Sequence, residues 1–157
     1  MLQFYYRFVA PHRSILELGR IDRVMNLVES QFNQYVGECW EHLCRQFVSG
    51  NEIDGIAYDM ASRWWGKIFP EENKEGIMIE LDVVAESFDK KHILIGECKW
   101  TGGEDAQRLL HDLAGKARYL PFIKDTQEVH FFLFLKHAPA HSESASYFLP
   151  KDILKSF

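Results

Sequence analysis

Three charged residues interrupt two neighbouring apolar segments of this sequence. The segments, residues 77–85 and 92–100, are rich in Ile and Val, and a polar turn joins them. This pattern predicts a β-hairpin whose strands are buried on much of both faces. Asp82 lies in the first segment, and Glu97 and Lys99 lie in the second. Carboxylates and lysines are rarely buried in such positions unless they are paired or bound to something.

The geometry of paired strands predicts that these charged groups converge. Side chains alternate between the two faces of a strand, so Glu97 and Lys99 share a face, and Asp82 can lie beside them on the neighbouring strand. Two acids and a lysine at one place in an apolar sheet are typical of a metal site. The alternative is a structural ion pair of Lys99 with Glu97 or Asp82, because ion-pair networks also gather charged groups.

Composition limits the class of protein. The chain has 157 residues, which is enough for one domain with a sizeable core. No apolar run approaches the ~20 residues of a membrane span, and the first residues lack the pattern of a signal peptide. Three cysteines without paired spacing predict free thiols in a reducing cytoplasm. The net charge of −5 disfavours attraction of nucleic acid over the whole surface, although a local basic groove stays open as an alternative.

Hydrophobic periodicity predicts the elements that must position the charged residues. Helices are expected over residues 15–35 and 36–48, followed by a mixed signal of short helix and loop over 52–62. Strands are expected over 63–68, in the hairpin, over 128–135 and over 147–149. A helix over 105–119 precedes the strand at 128–135, and a short helix follows Pro150. This order predicts an α/β fold with a mixed central sheet flanked by helices.

Several residues have both a functional and an ordinary interpretation. Glu41 lies at the border of an apolar helix stripe, where a solvated glutamate is the ordinary interpretation. Glu80 shares a strand face with Asp82, either as an outer acid of the site or as a solvent-facing side chain. We expect one of Trp64 and Trp65 in the core and the other at its rim, rather than both stacked on bases.

Two groups of potential zinc ligands are expected to be structural. Cys39 and Cys44 lack the tight spacing of a zinc-binding pair, so both are interpreted as cysteines of an apolar helix face. His137 and His141 are separated by Pro139, which excludes a pair of ligands on one helix, so both are assigned to a loop.

The order of these motifs resembles that of the PD-(D/E)xK nuclease superfamily. A helix bearing a glutamate is followed by a hairpin bearing Asp82 and, after fourteen intervening residues, the run Glu97-Cys98-Lys99. Five blocks resemble a narrower family, the DUF234-type domain found at the C-terminus of archaeal-type AAA+ ATPases. The blocks are FYYRFV at 4–9, VGECWE at 36–41, WWG at 64–66, ELDVVA at 80–85 and GECKW at 96–100.

The resemblance implies a metal-dependent DNA nuclease, with RNA left open as a substrate. Asp82, Glu97 and the backbone carbonyl of Cys98 would bind Mg²⁺ or Mn²⁺, and Glu41 would complete the site directly or through water. Lys99 would hold or activate the attacking water and stabilise the transition state. Glu41, Asp82, Glu97 and Lys99 would thus be the catalytic residues.

The resemblance also implies an organisation and a further contact. Residues 1–157 would form a single domain, with 1–34 as an N-terminal helical extension and 35–157 as a restriction-endonuclease-like core. Gln107 stands where related nucleases often carry a glutamine that contacts substrate. His111 stands where those nucleases carry a tyrosine, which puts the role of Gln107 in doubt.

An ATPase domain, in cis or in trans, is the partner that the resemblance implies. The sequence contains no G-x-x-x-x-G-K-[ST], so it is not expected to bind ATP through a P-loop. It is either a fragment of a longer ATPase or a stand-alone copy, and the aromatic segment 4–9, costly to leave in water, favours the fragment. The alternative function is a non-catalytic module of that ATPase that binds nucleic acid or protein, which the acidic net charge favours.

Overall fold

The computed structural model describes residues 2–71, 75–140 and 146–156. The chain divides into two compact units, residues 1–38 and 39–157. A long helix, α3 (Ile21–Val48), contributes residues 21–38 to the first unit and 39–48 to the second. Within the described ranges, no helix combines the length and the apolar character that a membrane crossing requires.

The first unit consists of short helical turns followed by the first part of α3. The turns are α1 (Leu2–Phe4), a π-helical turn (Tyr5–Val9), a 3-10 turn (Ala10–His12) and α2 (Arg13–Glu17). Gly19, with a φ of 70°, allows the chain to turn before α3 begins. The rings of Phe4 and Phe8 lie 5.8 and 5.6 Å from the ring of Tyr35. The aromatic start of the chain therefore packs within its own unit.

The prediction of two helices over 15–35 and 36–48 is wrong, because α3 is continuous from Ile21 to Val48. A single glycine inside a helix costs only about 1 kcal/mol relative to alanine, so Gly37 does not end the helix. The break lies earlier, at Gly19. The helix ends before Gly50, whose φ of 73° is the left-handed conformation typical of a residue just beyond a helix.

The second unit is built on a five-stranded sheet. Its strands in spatial order are β3 (Ser62–Ile68), β4 (Ile77–Glu86), β5 (His92–Lys99), β6 (Glu128–Leu135) and β7 (Tyr147–Phe148). The first three pair antiparallel, and the last three pair parallel. Helix α4 (Ala106–Ala117) connects β5 to β6, and α5 (Pro150–Ile153) follows β7. This confirms the predicted α/β fold with a mixed sheet flanked by helices.

The segment with the mixed signal forms a small separate hairpin of β1 (Glu52–Ile53) and β2 (Ile56–Ala57). The short helix predicted there is wrong. Asp54 and Gly55 both have positive φ, 51° and 79°, which is the conformation of a two-residue type I′ turn. Asp-Gly is among the sequences that favour this turn most strongly, so local turn chemistry decides the outcome.

Two hydrophobic clusters cover the two faces of the central strands. Leu94 and Cys98 of β5 belong to a first cluster that includes Trp40 of α3. Ile95 belongs to a second cluster that includes Leu113 of α4. Since successive residues of β5 enter different clusters, the strand is buried on both faces along its length. The charged end of β5 is thus attached to a rigid core.

Candidate metal centre

The candidate site lies where β4 and β5 separate. Their regular pairing ends at Val83 and Gly96. Beyond this pair, Asp82 is the next residue of β4 and Cys98 lies two residues along β5. A carboxylate oxygen (Oδ2) of Asp82 accepts the backbone N–H of Cys98 at 2.8 Å. Because backbone N–H groups of a strand lie in the plane of the sheet, the Asp82 carboxylate occupies the gap between the two strands.

A β-bulge places Asp82 at this gap. Ser62 pairs with Val84 and Trp64 pairs with Leu81, so the single residue Arg63 faces two residues of β4. Those two residues are Asp82 and Val83. Bulges bend a strand and redirect its side chains, and they occur often beside functional sites. Here the bulge coincides with the point at which β4 leaves β5.

The backbone carbonyl of Cys98 faces the same gap. In an extended strand, the N–H and C=O of one residue point toward the same neighbouring strand. The N–H of Cys98 points to Asp82, so its carbonyl also points toward β4. The adjacent carbonyl, that of Lys99, points the other way and accepts the N–H of Lys136 at 3.0 Å. This geometry suits the predicted role of the Cys98 carbonyl as an oxygen ligand beside Asp82.

Glu97 and Lys99 form an ion pair. Lys99 Nζ donates to Glu97 Oε1 at 2.6 Å, with 14% of the Glu97 side chain and 34% of the Lys99 side chain exposed. These two residues therefore form the structural ion pair that was the alternative to a metal site. It does not extend to Asp82, because no cationic side chain of the described residues lies within 4.0 Å of that carboxylate.

The acids of the site act on one another electrostatically, although Glu41, Asp82 and Glu97 do not form a cluster with carboxylate oxygens all within 4.8 Å of one another. Burial, together with the negative charges of Glu97 and Glu41, raises the pKa of Asp82 to about 6. The hydrogen bond from Cys98 and the charge of Lys99 act in the opposite direction. Partial burial lowers the pKa of Lys99, but the hydrogen bond and charge of Glu97 outweigh burial and raise it overall. The site therefore carries a surplus of negative charge.

Helix α3 adds Glu41 and a residue that sequence reasoning missed, Arg45. An Arg45 Nη donates to the backbone carbonyl of Asp82 at 2.8 Å, and the same nitrogen lies 3.7 Å from Glu41 Oε2. Glu41 and Arg45 are one helical turn apart, so they share a helix face. That spacing was the available signal in the sequence. Arg45 thus connects the helix acid to the strand gap without contacting the Asp82 carboxylate.

Arg63, opposite the bulge, is a second basic residue that sequence reasoning missed. It forms an ion pair with Glu80, whose side chain is half exposed. The hydrogen bond that Arg63 donates to Glu80, and the charges of Glu80, Glu41 and Asp82, raise the pKa of Arg63 against the opposing effect of burial. Glu80 is thus exposed, as the solvent-facing alternative expected, and its ion-pair partner is Arg63. It holds a guanidinium at the rim of the site.

The other predicted residues lie as follows. Gln107 is exposed in the first turn of α4, and its role as a substrate contact stays a prediction. Trp64 packs on Phe122 at a centroid distance of 5.4 Å, whereas Trp65 is 66% exposed, which confirms the division between core and rim. Cys44 is buried in the first hydrophobic cluster, as expected for an apolar-face cysteine.

Cys39, His137 and His141 are the remaining residues of the two groups that were expected to be structural. Cys39 is a partly buried free thiol on α3. His137 follows β6 outside any helix or strand, and His141 lies outside the described residues.

The donor set fits a hard divalent cation. Two carboxylates, Asp82 and Glu97, and one backbone carbonyl offer oxygen atoms only, with Glu41 as a further acid nearby. Mg²⁺ and Mn²⁺ prefer such oxygen ligands and keep several waters. The pKa of Asp82, raised to about 6 by burial and the nearby acids, shows that its negative charge is disfavoured there, and a bound cation would compensate that charge.

Fold and site together define an α/β protein with an acidic centre at the point where two antiparallel strands separate. Residues 5–109, more than half of the chain, match the DUF234 family, described as archaeal and bacterial proteins of unknown function. The chain belongs to this family, as its sequence blocks indicated. The relation to PD-(D/E)xK nucleases and to an ATPase stays a prediction.

Two further comparisons were made with known proteins. The chain is 25% identical over 122 residues to an uncharacterized protein of Methanocaldococcus jannaschii, and the alignment covers 74% of this chain and 25% of that protein. The chain thus spans about a quarter of the length of the curated relative that it matches. The comparison with solved structures finds no match.

Proposed function

We propose that this chain is a metal-dependent nuclease that hydrolyses DNA phosphodiesters at the centre formed by Glu41, Asp82, Glu97 and Lys99. One observation carries the proposal. The Asp82 carboxylate lies in the gap between β4 and β5, beside two other acids, and no described cationic side chain pairs with it. A partly buried carboxylate in such surroundings is costly unless a cation compensates it, and a divalent metal ion fits the oxygen donors present.

Each residue has a distinct task in this proposal. A bound Mg²⁺ or Mn²⁺ supplies a Lewis acid that polarises a phosphoryl oxygen and lowers the pKa of a water. Asp82, Glu97 and the Cys98 carbonyl hold and orient that centre. Lys99 is an ammonium ion at neutral pH, so it donates hydrogen bonds to the attacking water and stabilises negative charge at phosphorus.

The surrounding residues support this arrangement. Glu41 holds a water at the centre, and Arg45 fixes the position of Glu41 relative to the backbone of Asp82. Arg63 and Arg45 bring positive charge to the rim, where a phosphate backbone would lie.

Plasmid cleavage tests the proposal directly. The wild-type chain is expected to nick supercoiled plasmid with Mg²⁺ or Mn²⁺ and to be inactive with a chelator. Asp82→Asn and Lys99→Ala should each lower the nicking rate at least about 100-fold, because each removes a charge on which the transition state depends. Glu52→Gln and Lys155→Ala are matched controls on exposed residues away from the site, and both should keep wild-type activity. Activity that survives both site variants would refute the assignment.

A second candidate function is supported by the Lys99–Glu97 ion pair. With Lys99 Nζ 2.6 Å from Glu97 Oε1, part of the acidic charge is neutralised within the protein. The same fold could then serve as a non-catalytic module that binds nucleic acid or protein and regulates an ATPase in cis or in trans. Calorimetric titration separates the two functions. Binding of Mg²⁺ or Mn²⁺ that Asp82→Asn abolishes supports the nuclease, and no binding with or without DNA supports the module.

The proposed ATPase is compatible with the length of the relative. Because this chain aligns with 25% of the M. jannaschii protein, most of that relative lies outside the alignment. An ATPase domain, in cis or in trans, is the partner that we propose for this chain. Residues 1–157 alone should bind the metal ion at Asp82, since the donor atoms of the candidate site all belong to residues 39–157.

A further inference from the structure

A second group of potential metal ligands lies at the opposite end of β5. His92 begins β5, and Glu128 and His130 lie at the start of β6. The two strands are parallel, and His92 is directly paired with Glu128. Residues two apart on a strand share a face, so all three side chains project from the same face of the sheet. His92 is five residues from Glu97, or about 16 Å along the strand at about 3.3 Å per residue.

The donor atoms of the three residues face one another. His92 Nδ1 lies 3.0 Å from His130 Nε2 and 3.7 Å from Glu128 Oε2. One donor atom from each residue lies within 4.8 Å of the others. A tetrahedral Zn²⁺ with ligand bonds of about 2.0–2.2 Å holds its ligand atoms about 3.3–3.6 Å apart. The two measured separations, 3.0 and 3.7 Å, therefore bracket the separation between ligand atoms in a tetrahedral Zn²⁺ site.

The chemistry of the donors selects the class of metal. Two imidazole nitrogens and one carboxylate oxygen suit a borderline transition metal such as Zn²⁺, whereas Mg²⁺ prefers oxygen ligands alone. Three protein ligands leave a position for water. The Glu128 side chain is 70% exposed and the His92 side chain 23%, so an ion can reach the site from solvent.

The hairpin turn before β5 supports the orientation of the His92 ring. Asp89 Oδ1 accepts hydrogen bonds from Ser87 Oγ and from the backbone N–H of Lys91. Its other oxygen, Oδ2, lies 4.0 Å from His92 Nε2, the ring nitrogen that faces away from His130 and Glu128. At 4.0 Å this contact is not a hydrogen bond, but it places a negative charge on the side of the His92 ring opposite the proposed ligands, the side on which metal-binding histidines commonly have a carboxylate partner.

We propose that His92, Glu128 and His130 bind a borderline divalent transition metal, Zn²⁺ being the best fit, at a site separate from the Asp82 centre. In the metal-free protein the two imidazoles are joined by a hydrogen bond, in which one ring nitrogen donates to the other. The metal ion replaces that shared proton and brings in Glu128 as the third ligand. The site connects the starts of two parallel strands and would hold them in register.

Calorimetric titration of the full chain with Zn²⁺ tests this proposal. The double variant Asp82→Asn/Glu97→Gln serves as the background, because it removes the oxygen-donor centre while retaining all seven histidines. We expect one equivalent of Zn²⁺ to bind after treatment with a chelator. His130→Ala should weaken binding at least about 100-fold, and the exposed variant Glu128→Gln at least about 10-fold. His111→Ala removes an exposed histidine of α4 and should leave binding unchanged.

A Co²⁺ absorption spectrum provides a readout that does not depend on affinity. Tetrahedral nitrogen and oxygen ligation gives visible d–d bands without the charge-transfer band of a thiolate, which distinguishes this site from Cys39, Cys44 and Cys98. The Glu128→Gln side chain is at the surface, so its loss of binding cannot be attributed to unfolding. The proposal is overturned if Zn²⁺ does not bind, if binding survives His130→Ala, or if the spectrum shows thiolate ligation.

Discussion

Asp82 replaces a backbone acceptor at the point where the β4–β5 pairing ends. Its carboxylate accepts the N–H of Cys98, so the shape of the side chain and this hydrogen bond contribute to the stability of the fold. Its charge does not, because burial, and then the neighbouring acids Glu97 and Glu41, disfavour ionisation and raise the pKa of Asp82. In the metal-free protein the charge of Asp82 therefore lowers the free energy of unfolding, as is common for groups whose role is functional.

The first prediction concerns that cost. Asp82→Asn keeps an oxygen that can accept the Cys98 N–H and removes the negative charge. In the presence of a chelator, the variant should have a free energy of unfolding about 1 kcal/mol higher than the wild type, since an uncompensated charge is removed. Urea denaturation at neutral pH measures the difference, with Glu52→Gln as the control. Adding Mg²⁺ should stabilise the wild type and not the variant, because only the wild type binds it. A destabilised variant would show that Asp82 is already compensated.

The second prediction concerns Tyr58, a fully buried side chain of the first hydrophobic cluster. Its hydroxyl has no hydrogen-bond partner among the described residues. Tyr58→Phe should therefore be neutral or should stabilise the protein by up to about 1 kcal/mol, because it removes a buried polar group that is unsatisfied.

The same residue gives a pH dependence with a definite sign. Burial, and then the charges of Asp54 and Glu128, raise the pKa of Tyr58 to about 12 from its usual value of 10.0. Between these values the folded state keeps a proton that the unfolded state releases, so stability falls as pH rises from about 10 to about 12. Tyr58→Phe lacks this contribution. Its free energy of unfolding, measured with urea at pH 9 and pH 11, should fall less than that of the wild type. Equal falls would contradict the assignment.

At the scale of elements, the site depends on β5 packing closely against its neighbours. A Cβ added at Gly96 would lie 2.6 Å from the Phe134 ring and 3.1 Å from the Val83 side chain. Gly96 is also the last residue of β5 paired with β4 before the gap opens. The absence of a side chain therefore allows Phe134 and Val83 to close the core directly beneath the site.

A pair of glycine variants tests this packing. Gly96→Ala should destabilise the protein by about 1–3 kcal/mol, because core residues must shift to admit the new methyl group. Gly115→Ala is the matched control: it lies on the exposed face of α4, with no atom within 4 Å of the added Cβ. That variant should stabilise the protein by about 0.5–1 kcal/mol, because alanine favours the helix. Urea denaturation measures both, and a stabilising Gly96→Ala would show that the core has unused space.

At the scale of the whole molecule, the net charge of −5 opposes association with DNA. Binding through the proposed centre must then depend on the metal ion and on the few basic residues at its rim. Lys99→Ala keeps all three acids of the centre and should bind DNA without cleaving it. Its fluorescence anisotropy with labelled DNA should rise in Mg²⁺, fall with added salt and stay flat with a chelator. Equal binding in Mg²⁺ and chelator would place the DNA-binding surface elsewhere.

Local patterns in the sequence determined most of the second unit. Strand β6 has the bounds predicted for it, because a continuous apolar run between polar segments defines a strand buried on both faces. The hairpin strands and α4 lie within two residues of their predicted bounds, because their hydrophobic patterns are also local. The continuity of α3 was missed because a single glycine in a short stretch of sequence does not show whether packing keeps the helix continuous. The type I′ turn at Asp54 was missed although the local Asp-Gly pair favours it.

The types of the candidate site residues were determined by the sequence, since an acid or a lysine in an apolar strand is unusual wherever the chain folds. The tertiary structure alone decided what surrounds them. Strand pairing brings Cys98 to Asp82 and His130 to His92, and the bulge opposite Arg63 sets where the strands separate. The hairpin pattern already predicted that Asp82 lies beside the end of β5, but the contact of His130 with His92, 38 residues away, depends on strand order and register, which arise from the packing of the whole core and leave no local pattern in the sequence.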